Sequence, residues 1–543
     1  MSRIPHRMSQ ADLPRPLQVH HTDDNHLSSF TLDTISQLDE DASTALATIR
    51  EWRNSLVPIN RIPPEILSLV PTHLSSQKDR FNATFVCRYW RKANLRHGAL
   101  WTQIFLRNGE DYVTTLLERA RHSPLDIVIH RDVPATIISQ ISTLAQQIRH
   151  LEFSQNDWQD VITFSELNSG QLPLLRTLKI AVFDIPYVYE VAPPSLPFFR
   201  GSANLEEFSL RLGNFEFLSL FIFPNLTKFE LSSYQPTLFN ASFLLNFLRA
   251  SPMLRVVKLD IDKFNEMAND THDAVAMSLP NAETFSLRMY GWSPKYIFKI
   301  AAHIQCPSAR DVSLRVKMDA EDVAEYHTDI FPFPDSWDRI GCLYAISSIE
   351  EVVVEMKREP YGAITFSVTF LSLNASAIRL GLELSDMDEQ FFPDVCWGVF
   401  CQALTTARKL PLVSHIKRLR IEFRAPVGET IEMADRIDEF AGPFSSLGPW
   451  DRLTIHGCDI HILLSTSTAE LPHIKKLVIL HPWMKADSPR CMNSITRLAM
   501  NKYGSGVPFA CVTIYAGILP TGIVEKLKPW VGVVRYRGRY TEE

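Results

Sequence analysis

The sequence predicts an α/β protein: N-terminal helices, then a small helical unit, then an irregular solenoid, a horseshoe of short parallel strands. Three observations predict it. Apolar residues recur at three- and four-residue steps from Ile35 to Leu56, the spacing of a one-faced helix. A proline pair, Pro63-Pro64, opens a second helical stretch. From Ile148 onward the pattern changes to apolar-x-x-apolar-x-apolar, which recurs down the chain at intervals of 21 to 40 residues. These divide the chain into a tail over 1–30, an amphipathic helix over 31–58, the helical unit over 59–106 and the solenoid over 107–543.

Composition narrows the class of function. At 543 residues the chain exceeds one ordinary core, so several domains or a repeat array are expected. It is 45% hydrophobic and 21% charged, which suits a globular protein, and a net charge of −6 argues for no nucleic-acid or membrane field. No stretch approaches the length of a membrane span. The eight cysteines are scattered without a CxxC pair, unlike a disulfide scaffold, so a cytoplasmic or nuclear setting is expected.

The tail is polar and without period, and disorder is expected there. In the following helix Ile35, Leu38, Ala42, Ala45, Ile49, Trp52 and Leu56 form the stripe, with Asp39, Glu40, Asp41 and Arg50 off it. Two readings stand: a helix packed against the next unit, or a dimer seam, though the stripe is short for a coiled coil.

In the helical unit, Pro63 and Pro64 suit a first turn, where the missing N–H would have no partner. Glu65 adds a negative charge where the helix dipole favours one. Ile66, Leu67, Leu69, Val70 and Leu74 give an apolar stripe that Pro71 cuts short. After a polar break at Ser75 to Asp79, Phe81, Phe85, Val86, Tyr89, Trp90 and Ala93 fall on one broad face of a second helix. Leu95, Leu100, Trp101, Phe105 and Leu106 close the unit.

Two separated segments, Ile62-Pro63-Pro64-Glu65-Ile66-Leu67 and Val86-Cys87-x-x-Trp90-Arg91, resemble the F-box. The resemblance implies a three-helix unit that docks the Skp-type adaptor, and through it the cullin, of an SCF (cullin–RING) ubiquitin ligase. Carried over, it places Ile62, Pro63, Pro64, Ile66 and Leu67 on the adaptor, with Val86 and Cys87 adding to the contact and Trp90 in the motif's own core. Pro71 departs from the family's pattern and bears on the length of the first helix.

The repeat has twelve copies, from Ile148/Leu151/Phe153 to Ile474/Leu477/Ile479. Its last apolar pair has the period of two that sets side chains on one face of a strand. A single strand and return segment cannot bury that face, so the units are expected to stack. The first intervals resemble those of leucine-rich repeats, without the Asn or Cys that normally follows the strand, and are similar to the degenerate repeats of fungal F-box proteins. Polar positions within the strands, among them Arg176, Lys179, Lys228 and Lys258, are candidates to meet a target protein on the inner wall. The insertion from Lys317 to Ser347 carries Phe331, Phe333 and Trp337, which either bind that target or plug a gap in the stack.

No P-loop, dinucleotide fingerprint, nucleophile elbow or His-Glu-x-x-His helix occurs, and no enzyme activity, metal or other cofactor is expected. His456, Cys458 and His461 have zinc-ligand chemistry but no second pair at matching spacing. The segment Lys526 to Tyr540 reads either as a last edge strand or as a basic, aromatic grip on single-stranded nucleic acid. The expected function is a substrate-recognition subunit of an SCF-type ligase. A non-ligase interaction scaffold is the alternative, and an enzyme with a loop-built site comes after it.

Overall fold

The computed structural model describes residues 32–74, 76–106, 109–130, 133–167, 172–184, 202–211, 218, 221–233, 241–262, 276–291, 295–319, 349–358, 364–372, 377–385, 417–424, 451–456, 474–480, 489–515 and 522–537. The 1–30 tail and the insertion bearing Phe331, Phe333 and Trp337 lie outside the described residues. The chain divides after Trp101 into two compact units.

The first unit contains α1 (Leu32–Ser55), α2 (Pro64–Leu67), α3 (Gln77–Ala83) and α4 (Arg88–Arg96), with short 3₁₀ turns between them. Pro64 opens α2, and Pro71 sits in the 3₁₀ turn Val70–His73 that follows. The second apolar stripe is not one helix. It breaks between α3 and α4, where the Thr84 hydroxyl donates to the Phe81 carbonyl at 2.8 Å and Cys87 is extended. That break turns Phe85 and Val86 outward instead of onto the buried face. Leu67, Ala83, Trp90 and Ala93 form the core, with Ile62, Cys87 and Tyr89 packed against it.

Among the described residues, the second unit is built on a sheet of 17 strands. Its first strands are β1 (Gln103–Phe105), β2 (Leu125–His130), β3 (Ile148–Asp157), β4 (Thr177–Asp184), β5 (Glu207–Arg211), β6 (Lys228–Ser232) and β7 (Val256–Ile261). Phe105 therefore belongs to this unit, and the Leu106 N–H donates to Val128 O at 2.9 Å. A minor pair, β8 (Met277–Ser278) and β10 (Ile304–Gln305), stands apart. The main sheet continues with β9 (Thr284–Tyr290), β11 (Asp311–Met318), β12 (Ile349–Arg358), β13 (Ile364–Ser372), β14 (Ala377–Leu384), β15 (Arg418–Arg424), β16 (Arg452–His456), β17 (Lys476–Leu480), β18 (Phe509–Tyr515) and β19 (Val531–Arg537).

From β1 to β11 the main-sheet pairings are parallel, with register shifts only near the start of β2 and the end of β3, so Leu151, Leu178, Phe208, Phe229, Val257, Phe285 and Val312 lie side by side in one buried row. A second row, Phe153, Ile180, Leu210, Leu231, Leu259, Leu287 and Leu314, runs beside it. Return helices such as Ala241–Arg249 cover this face, and Phe247 lies 4.5 Å from Phe229, centroid to centroid. Turn residues add a ladder of their own: the side-chain amides of Asn204, Asn225 and Asn281 donate to Pro173 O, Ala203 O and Pro252 O, at 2.8, 2.6 and 3.1 Å.

Chain order is then interrupted. The neighbour of β11 is β14, not β12. β13 runs antiparallel to both β14 and β12, and β12 in turn pairs in parallel with β15. The connections 359–363 and 373–376 are too short for a parallel crossover, so these three strands form an antiparallel meander and enter the sheet as a block in reverse order. From β15 to β19 the parallel ladder resumes, ending in a strand within the basic tail, for which an edge strand was one of two readings.

Candidate docking and binding surfaces

Asn60 anchors the helical unit. It accepts the Trp90 indole N–H on Oδ1 at 2.7 Å and donates its amide to Asn54 O at 2.7 Å. Tyr89 donates its hydroxyl to Ile62 O at 2.8 Å, so both halves of the motif are tied from within. The candidate docking residues then separate into two groups. Pro63, Pro64, Ile66 and Val86 are exposed, Ile66 at 54% and Val86 at 59%. Ile62 and Cys87 are half-buried against the core. Leu67 is a correction: it is fully buried beside Trp90, so it holds the unit together and presents no surface to a partner. Ile59, Leu69, Val70 and Phe85, which were not assigned to docking, are also exposed apolar side chains. A surface this rich in large apolar residues is the signature of an interaction site.

On the second unit, the polar face of the parallel strands carries Arg176, Lys179, Lys228 and Lys258. Each is held in an ion pair with a neighbouring carboxylate. Arg176 meets Glu206 at 3.2 Å, Lys179 meets Glu152 at 3.4 Å, and Lys228 meets Glu230 and Glu207 at 3.5 and 3.7 Å. Lys258 closes on Glu230 at 3.0 Å. These pairs are solvent-exposed and contribute about 0–1 kcal/mol each to stability, so a ligand can compete for either partner at small cost.

A groove of about 900 Å³ opens on this face over the first strands, lined by Phe105, Asp126, His130, Arg149, His150, Glu152, Arg176, Lys179 and Glu206 among others. Arg149 grips Asp126 with two nitrogens, the shortest contact being 2.7 Å. The His150 ring and Lys179 hold the Glu152 carboxyl below its usual range. Phe105 stacks on His130 with centroids 6.4 Å apart. The groove offers aromatic surface and both signs of charge.

Where β14 enters beside β11, a second polar centre forms that sequence patterning did not single out. Glu383 on β14 takes the Arg288 guanidinium from β9 and meets Lys317 of β11 at 3.6 Å. Arg288 also lies 5.0 Å from the Tyr290 ring centroid, and Tyr290 donates to Asp260 Oδ2 at 3.4 Å. Burial pushes the Asp260 carboxyl and the Tyr290 hydroxyl above their usual ranges. No local sequence signal marks a pair 95 residues apart. The Asn ladder did leave one: Asn204, Asn225 and Asn281 each directly precede the first apolar residue of a repeat.

His456 lies on β16 with Nδ1 4.0 Å from Glu422 Oε2, while Cys458 and His461 fall outside the described residues. Among the described residues no group of three or more His, Cys, Asp or Glu is placed to hold a metal ion. No helix among them is long and apolar enough to cross a membrane.

The helical unit is thus clamped from within, with apolar side chains turned outward. Residues 59–107 match the F-box-like family, and the chain carries an F-box-like domain over that span. No curated protein matches the chain as a relative.

Proposed function

We propose that this chain is the substrate-recognition subunit of an SCF-type ubiquitin ligase in the cytoplasm or nucleus. In this reading the F-box-like unit docks a Skp-type adaptor through Ile62, Pro63, Pro64, Ile66, Val86 and Cys87. The strand array, a leucine-rich-repeat-like solenoid, holds the target protein on its polar face through groups that include Arg176, Lys179, Lys228 and Lys258. The observation that carries the reading is the outward turn of Ile66 and Val86 from a core closed beneath them by Leu67 and Trp90. Such residues are costly to leave in water and gain from a partner that covers them.

The chain itself contributes no catalytic group in this reading. It raises the effective concentration of target lysines near a charged conjugating enzyme, and the bond-making belongs to its partners. The test is affinity capture of the full chain with and without proteasome inhibition, beside an Ile66→Asp/Val86→Asp variant. Adaptor and cullin are expected with the wild type and lost with the variant, while targets accumulate under inhibition. Adaptor captured without cullin would favour a scaffold outside the ligase. Capture unchanged by the variant would refute the docking surface.

A further inference from the structure

Helix α1 precedes the F-box-like span and is not explained by it. Ile35, Leu38, Ile49, Trp52 and Leu56 are each between 52% and 57% exposed, and no residue of α1 is buried. With Ala42 and Ala45 between them they alternate steps of three and four residues, the spacing that keeps a straight seam facing a second helix. The partly buried residues of α1 are Ala47 and Asn54, seven apart and on the opposite side from that seam. The helix is thus held by its back: Asn54 O takes the Asn60 amide, and the apolar stripe is left facing outward. Among the described residues, the stripe is not packed against its own helical unit, which was one of the two sequence readings.

We propose that the stripe is a self-association seam, on which a second copy of this chain lays its own α1 in the antiparallel direction. Reversed about its midpoint, the part of the stripe from Ile35 to Trp52 superposes on itself, and Leu56, just past the end of α1, stays outside the pairing. Ile35 then faces Trp52, Leu38 faces Ile49 and Ala42 faces Ala45, so the small side chains in the middle let the backbones approach. Charge chooses the direction. The first half of α1 carries Asp33, Asp39, Glu40 and Asp41, whereas the second carries Arg50 and Arg53 against Glu51. An antiparallel pair sets the acidic half beside the basic one and opposes the two helix dipoles; a parallel pair sets four carboxylates against four. A two-fold arrangement of this kind uses the same patch on both copies. The seam is short, so the dimer forms by mass action and dissociates on dilution.

The test uses the full chain in light scattering across a dilution series. The wild type is expected to pass from dimer to monomer as it is diluted. A Leu38→Glu/Ile49→Glu variant is expected to stay monomeric throughout, with its thermal unfolding and its capture of adaptor unchanged. For direction, an Ile35→Cys/Trp52→Cys chain is expected to form an intermolecular disulfide that Ile35→Cys alone does not. A wild type monomeric at every concentration would overturn the proposal, as would dimerisation that survives the two glutamates. Dimerisation appearing only after residues 1–31 are removed would make that segment the occupant, and loss of adaptor capture by the glutamate variant would make it the adaptor. Cross-linking by Ile35→Cys alone would overturn the antiparallel direction.

Discussion

The Trp90 indole donates to Asn60 Oδ1 at 2.7 Å, joining residues 30 positions apart within the F-box-like span. Asn60 spends its own amide on Asn54 O, so this hydrogen bond ties α4 to the entry of the unit and to the end of α1. A double-mutant cycle with Trp90→Phe and Asn60→Ala is expected to give a coupling of about 0.5–1.5 kcal/mol in denaturant unfolding. Strict additivity would mean that the bond contributes nothing to stability.

Adjacent residues in α2 are expected to fail in different ways. Leu67→Ala opens a cavity beside Trp90 and is expected to destabilise the unit by about 2–5 kcal/mol. Ile66→Ala lies on the surface, so unfolding is expected to shift little while adaptor capture falls. If Ile66→Ala cost as much stability as Leu67→Ala, the assignment of inner and outer faces would be wrong.

Thiol reactivity offers a map that needs no substitution. Cys306 is buried, and burial pushes its thiol up to about 12, so it is expected to react with maleimide only after unfolding. Cys87 and Cys511 are half-exposed and are expected to label in the native chain. Addition of adaptor is expected to protect Cys87 and leave Cys511 unchanged, as peptide mapping of the labelled chain would reveal.

Glu383 serves two cations, Arg288 and Lys317, with a side chain 20% exposed. Glu383→Ala takes this carboxylate from both partly buried cations at the point where β14 joins β11, and is expected to destabilise by about 1–3 kcal/mol. Added salt is expected to narrow the difference from wild type. An unfolding midpoint equal to wild type would show that strand order there rests on apolar contacts alone.

Asp260 is a group that burial disfavours in its charged form, so its folded-state pKa lies above the unfolded one. Its contribution is fully present below the usual aspartate pKa and is lost as pH rises through the folded value. Asp260→Asn can still accept the Tyr290 hydroxyl. It is therefore expected to be more stable than wild type at neutral pH and to match it in acid, by denaturant unfolding at both. A variant less stable than wild type at neutral pH would reverse the sign.

Much of the array could be read in advance, because a strand buried on one face repeats every second residue, and Leu178/Ile180 or Phe285/Leu287 declare that period locally. Strand order could not. Ile364, Phe366, Val368 and Phe370 alternate in the same way whether their neighbours are parallel or antiparallel, and direction lies in the length of the connections. The break at Thr84 was hidden for a related reason: helical spacing continues through it, from Phe81 to Trp90. At the docking surface, spacing marked both Ile66 and Leu67 as apolar but did not assign the inner one, since that depends on where Trp90 lies. The sheet's charges were visible as types, whereas their pairing across strands depended on register.

Residues 311–318 receive their outer neighbour from 377–384, and 349–358 receive theirs from 418–424. During synthesis on the ribosome, the early half of the array can therefore zip up as it emerges, then must wait with a bare edge until some sixty further residues have been delivered. A stalled or truncated product ending inside that interval leaves the strand of Val312, Leu314 and Val316 without its 377–384 neighbour, and aggregation of such products is the expected consequence.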